Sequence, residues 1–238
     1  MIPQFVPRPV PGGVETRLVY LLVGESDLAR LRGYLDEEEL RRGNRLVDGK
    51  RRDLFFAGRG ILRELLGGLL GVEPNRVALV EGEAGKPRLA QPGEIDFNVS
   101  HAGDYLLAAF TAGCQVGVDL EWMRGDIPYQ AIAERYFSKQ ERDALFGLPA
   151  EEQLAAFYRC WTRKEAYLKG TGTGFTRSLA DFDVSLLPGE PAALLEHRGD
   201  RGEAARWQMA DIEVPHGYCA AVAVELTSHG DTEKNLRD

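Results

Sequence analysis

Apolar residues recur along this chain at two spacings. Short runs at 18–23 (LVYLLV), 76–81, 95–99, 105–111 and 115–122 predict buried strands. Further strand-like runs fall at 181–185, 206–213 and 218–226. Leu54, Ile61, Leu62, Leu65, Leu66 and Leu69 instead recur at helical spacing. They predict a long helix over 53–70, ended by Gly71. A second long helix is expected over 151–169, with shorter ones near 28–35, 36–45 and 128–136. Ser26 is the expected N-cap of the first short helix. Ser138 and Glu141 form an S-x-x-E capping box that opens another.

The order of elements repeats: strand, short helices, long helix, then three strands. A tight turn, Ala112-Gly113-Cys114, separates the two runs. The pattern predicts an α+β fold of two similar halves, 1–113 and 114–238, with a site in the cleft between them. No residue-level repeat accompanies the shared order.

Composition adds exclusions. The 238 residues carry a formal net charge of −8, which disfavours a general nucleic-acid binder. No stretch approaches the ~20 apolar residues of a membrane-spanning helix. The proline-rich start, MIPQFVPRPVPGG, has no apolar run suited to a signal peptide, so a cytoplasmic protein is expected. Cys114, Cys160 and Cys219 are far apart, lack metal-ligand spacing and read as buried reduced thiols.

Four segments carry candidate chemistry. In Val116-Gly117-Val118-Asp119-Leu120-Glu121, strand alternation puts the two carboxylates on one face, ~7 Å apart at the backbone. They repel unless a cation lies between them, or unless the face is simply solvated. In Trp161-Thr162-Arg163-Lys164-Glu165-Ala166-Tyr167-Leu168-Lys169, Glu165 and Lys169 share a helix face. That pair is either a surface ion pair or a third carboxylate beside a phosphate-binding ammonium. Phe97-Asn98-Val99-Ser100-His101 places a serine and a histidine at a strand end, and Lys86 stands on a rigid turn before Pro87. Arg41, Arg42, Arg45, Lys50, Arg51, Arg52, Arg59 and Arg63 crowd one segment against only Asp48 and Asp53. Such a cluster is a solvated helix face or an anion site.

The order and spacing of G-K-P (85–87), F-N-V-S-H (97–101), G-V-D-L-E (117–121) and W-T-R-K-E-A-Y-L-K (161–169) resembles the phosphopantetheinyl transferases. The nearest type is the surfactin-synthetase-activating one, and the resemblance covers roughly residues 36–225. It implies a monomeric pseudo-dimer with coenzyme A in the cleft. Asp119, Glu121 and Glu165 would hold Mg2+ on the coenzyme's pyrophosphate, Asp119 also touching the coenzyme, with Lys169 near the same phosphates. Arg42 matches a position that meets the 3′-phosphate. Lys86, Pro87, Asn98, Ser100 and His101 belong to the matched motifs and are expected at the coenzyme. Arg45 and Arg52 join this set on charge and proximity. The chain departs from the pattern at Glu39, where a basic residue is usual, and at Phe55, where threonine is usual.

The implied reaction transfers phosphopantetheine to a serine of an apo acyl or peptidyl carrier protein, with Glu165 as base and Lys169 as charge partner. Carrier docking is expected on apolar residues between Met123 and Phe146. Two rivals remain: an acyltransferase that retains the thioester, which needs no three-carboxylate site, and a non-catalytic coenzyme A or carrier-binding module.

Overall fold

A computed structural model describes residues 14–81, 87–91, 93, 95–172 and 178–226. Lys86, expected at the site, lies outside the described residues, as do the proline-rich start 1–13 and the polar end 227–238.

The first half runs β1 (Glu15–Tyr20), α1 (Glu25–Arg32), α2 (Glu37–Asn44), α3 (Gly49–Leu70), β2 (Leu79–Glu81), β3 (Pro87–Leu89), β4 (Ile95–Ala102) and β5 (Tyr105–Ala112). The second runs β6 (Val116–Trp122), α4 (Tyr129–Tyr136), α5 (Lys139–Phe146), α6 (Ala150–Thr171), β7 (Phe182–Val184), β8 (Leu194–His197), α7 (Glu203–Arg206), β9 (Trp207–Asp211) and β10 (Tyr218–Glu225). The sheets are β1-β5-β4 and β6-β10-β9, both antiparallel. In each half the first strand pairs with the last, and the last with the one before it. Each half also carries a two-stranded hairpin, β2-β3 or β7-β8. The fold is α+β, a pseudo-dimer of two similar halves.

Local chemistry explains the helices. The long helices α3 and α6 both span 22 residues and both end at a glycine with φ +67°, Gly71 and Gly172. Only glycine takes that left-handed turn without strain. Helices α2 and α5 both open on capping boxes, Asp36 with Glu39 and Ser138 with Glu141. Gly24, not Ser26, is the N-cap of α1; Ser26 falls inside its first turn and caps nothing. Each half was expected to hold three strands after its long helix and holds four, because β3 and β8 are short hairpin partners.

Each half has its own core. One gathers Leu31, Ile61, Leu62, Leu66, Phe97 and Phe110; the other gathers Phe137, Phe157, Tyr167, Phe182 and Trp207. A third cluster joins Leu107 and Ala109 to Val116, Val118, Leu120 and Val222, sealing sheet against sheet. Among the described residues no helix is long and apolar enough to cross a membrane.

Candidate active site

The site forms where β4 of the first half meets β6 of the second. These strands belong to different sheets, and side chains replace the missing ladder. Asp96 Oδ2 accepts from Val116 N at 3.1 Å, and Asn98 Oδ1 accepts from Val118 N at 2.9 Å. Next along the same face, Ser100 Oγ donates to Asp119 Oδ1 at 3.1 Å. Strand alternation explains F-N-V-S-H: Phe97 and Val99 face the first core, while Asn98 and Ser100 reach for β6. Asn98 thus serves the scaffold as a strand-to-strand bridge.

Gly117 lets β6 lie directly on α6. A Cβ there would stand 2.1 Å from Ala166 O and 2.2 Å from Gly170 N. This contact brings Asp119 and Glu121 on the strand to Glu165 and Lys169 on the helix. Lys169 Nζ lies 2.6 Å from Asp119 Oδ1 and donates to Ser100 Oγ at 3.0 Å. Three elements and both halves therefore meet at one carboxylate.

The electrostatics follow from this crowding. Glu165 is pushed up to about 7, first by burial and then by the Asp119 charge, with Lys169 opposing. Glu121 is also pushed up to about 7 by burial and Asp119, and the hydrogen bond from Trp161 pulls the other way. The His101 ring is held below its ordinary value by desolvation and then by Lys169. A neutral imidazole here can accept or donate one hydrogen bond without adding charge.

No group of three or more His, Cys, Asp or Glu side chains among the described residues is gathered as a ready metal cage. Lys169 supplies the positive charge at Asp119 instead. The donor set nevertheless fits a hard cation. Asp119 Oδ2 and Glu165 Oε1 are buried oxygens with no partner among the described residues, in a structure that satisfies most others.

The basic segment is only partly at the site. Lys50 pairs with Asp104 at 2.9 Å, which holds the start of α3 against the β4–β5 turn beside His101. Arg42 and Arg59 both lie 5.8 Å from the Phe55 ring centre, on α2 and α3. Arg45 is exposed at the end of α2, and Arg52 approaches Asp53 at 4.0 Å. Pro87 lies on β3, paired with Glu81. Arg63 does not belong to an anion surface at all; it is buried among Glu39, Asp36 and Val77 O. Glu39, where the resemblance has a basic residue, holds Arg63.

Sequence reasoning missed Trp161 as a neighbour of Glu121, Gly117 as the reason strand and helix touch, and Arg59 beside Phe55. The G in G-V-D-L-E was the available signal for the second of these.

The chain matches the family described as 4'-phosphopantetheinyl transferase superfamily over residues 115–223. It matches that described as 4'-phosphopantetheinyl transferase, N-terminal, over residues 24–112. It is 41% identical over 205 residues to the 4'-phosphopantetheinyl transferase HetI of Nostoc sp., covering 84% of this chain and 82% of that protein. It is 30% identical over 206 residues to the human L-aminoadipate-semialdehyde dehydrogenase-phosphopantetheinyl transferase, covering 80% and 67%. Among solved structures, a holo-(acyl-carrier-protein) synthase from Bacillus anthracis in complex with CoA (3',5'-ADP) aligns with TM-score 0.38 at 21% identity, over 47% of this chain and 94% of that one.

Proposed function

The chain belongs to the 4'-phosphopantetheinyl transferase superfamily and is a transferase; from that premise we propose that it moves the 4'-phosphopantetheine arm of coenzyme A onto a serine hydroxyl of an apo acyl or peptidyl carrier protein. The observation that carries this reading is the pair of buried, unpartnered oxygens on Asp119 and Glu165, beside Lys169, at the join of the two halves. Such a site suits a substrate that brings negative charge.

Asp119, Glu121 and Glu165 would hold a magnesium ion, which when bound offsets charge on the pyrophosphate oxygens. The protein's own groups do the rest. Lys169 can turn from Asp119 to a phosphate oxygen, keeping its charge in place. Ser100 offers its hydroxyl from β4 of the first half, and His101, the next residue on that strand, stands exposed beside it. Arg42, with Arg59 beside Phe55, faces the nucleotide end, and Arg45 and Arg52 extend the positive margin. The carrier serine Oγ bonds to the β-phosphorus while the bond to the bridging oxygen breaks. Adenosine 3',5'-bisphosphate leaves with that oxygen and its electron pair. Glu165 takes the serine proton.

The reading includes a division of the chain at 113 and 114, supported by the repeated topology on either side. It also includes a cytoplasmic location, which the three free cysteines suit, and a monomer. Product analysis tests the reaction: incubation with coenzyme A and apo carrier should release adenosine 3',5'-bisphosphate in step with carrier modification. Free coenzyme A as the product of an acyl-coenzyme A reaction would favour an acyltransferase instead.

A further inference from the structure

Each long helix carries a buried cation at a corresponding place; α6 buries a second, Arg163, held by Asp211 and Ser185. Arg63 stands eight positions before Gly71, and Lys164 eight positions before Gly172. Arg63 is 2% exposed and Lys164 is fully buried. Arg63 Nε donates to Glu39 Oε2 at 2.8 Å, and Lys164 Nζ lies 2.7 Å from Glu141 Oε1. Both acceptors are the glutamate that closes a capping box, the third residue of α2 and of α5. Both cations also reach the chain that follows their helix. Arg63 Nη1 donates to Val77 O at 2.7 Å; Lys164 donates to Leu179 O at 2.7 Å and Phe182 O at 2.6 Å. All three donors of the ammonium are used.

The residue after each cation is a glutamate, and here the halves diverge. Glu64 pairs with Arg30 and accepts from Tyr34. Glu165 instead faces Asp119 and Lys169. The buried cation is therefore common scaffolding, and only in the second half does a site depend on it. Successive helix residues differ by ~100° in direction, so fixing Lys164 fixes the direction in which Glu165 points.

We infer that Lys164, held by Glu141 and the Leu179 and Phe182 carbonyls, is a positioning residue that orients Glu165 toward Asp119, and that Arg63 is its counterpart without a site to serve. The inference rests on the proposed function for the identity of that site. It predicts a specific asymmetry between two matched substitutions.

Mn2+ binding, followed by electron paramagnetic resonance, and thermal unfolding are measured on the full chain for wild type, Lys164→Met, Arg63→Met and Lys164→Arg. Both methionine variants should melt at lower temperature. Only Lys164→Met should also bind Mn2+ about tenfold more weakly, within the range seen when a ligand's supporting partner is removed. Lys164→Arg, which copies the first half, should restore most of the affinity. Should either methionine variant fail to fold, Glu141→Gln and Glu39→Gln replace the pair, with the same asymmetry expected. Wild-type affinity in folded Lys164→Met or Glu141→Gln, or equal weakening in both halves, overturns the inference. Mn2+ binding and carrier loading both absent from the wild-type chain overturn the proposed function, and this inference with it.

Discussion

Replacing Gly117 by alanine adds one carbon where there is no room for it. The new Cβ would meet Ala166 O at 2.1 Å and Gly170 N at 2.2 Å, against a floor near 3.0 Å for real contacts. Both obstacles are backbone within α6, so no side chain can swing aside. Strand and helix must separate by about 1 Å. That separation opens the 2.6 Å contact between Lys169 and Asp119 and moves Glu165 away from both strand carboxylates. Overpacking of this kind costs ~1–3 kcal/mol or more. A 1 Å misplacement of reacting groups costs ~10²-fold in rate. Gly117→Ala should therefore melt several degrees lower, and, when assayed well below its melting point, load carrier at roughly a hundredth of the wild-type rate. Circular dichroism and a fixed-time loading assay read the two effects separately. A folded Gly117→Ala within twofold of wild-type turnover would refute the argument that β6–α6 contact sets the site.

Glu165→Gln keeps shape but removes the proposed base, and should lower kcat by ~10²–10⁴-fold with the circular dichroism spectrum of the folded chain preserved; near-normal turnover removes Glu165 from the reaction. Glu121 and Glu165 titrate at about 7 in the folded chain against 4.5 ordinarily, so the folded state binds more protons between those values. Their contribution to stability is present below about pH 4.5 and lost as pH rises to about 7, so across this window the metal-free melting temperature should carry a falling contribution that Glu121→Gln/Glu165→Gln removes. Divalent-cation affinity, which needs both groups ionised, should rise over the same interval; a flat Mn2+ titration between pH 5 and pH 8 would contradict it. Arg42→Ala should raise KM for coenzyme A about tenfold with kcat little changed, and an effect on kcat alone would displace Arg42 from the nucleotide end.

Much of this fold was legible because strong local signals agreed. The 3.6-residue spacing of Leu54 through Leu69 gave α3, Gly71 its end, and Ser138 with Glu141 the start of α5. Asp119, Glu121, Glu165 and Lys169 were legible as a spaced set, and the structure brings them together. Short elements were not legible: β3 and β8 hold three and four residues and exist through pairing with β2 and β7. Burial of charge was also hidden. Arg63 in a basic run looks exposed, and Lys164 in T-R-K-E looks like a solvated helix turn. Only packing against Glu39 and Glu141 shows otherwise. Their equal distances from Gly71 and Gly172 were readable, but the meaning of that match needed the repeated topology.

The intact mass of an apo carrier protein after incubation with coenzyme A, Mg2+ and this chain tests the central claim most directly. The account predicts a gain of one phosphopantetheine group, lost with chelator and lost with Asp119→Ala. An unchanged mass across carriers from fatty acid, polyketide and nonribosomal peptide systems, with coenzyme A still bound, would contradict it and leave a binding module.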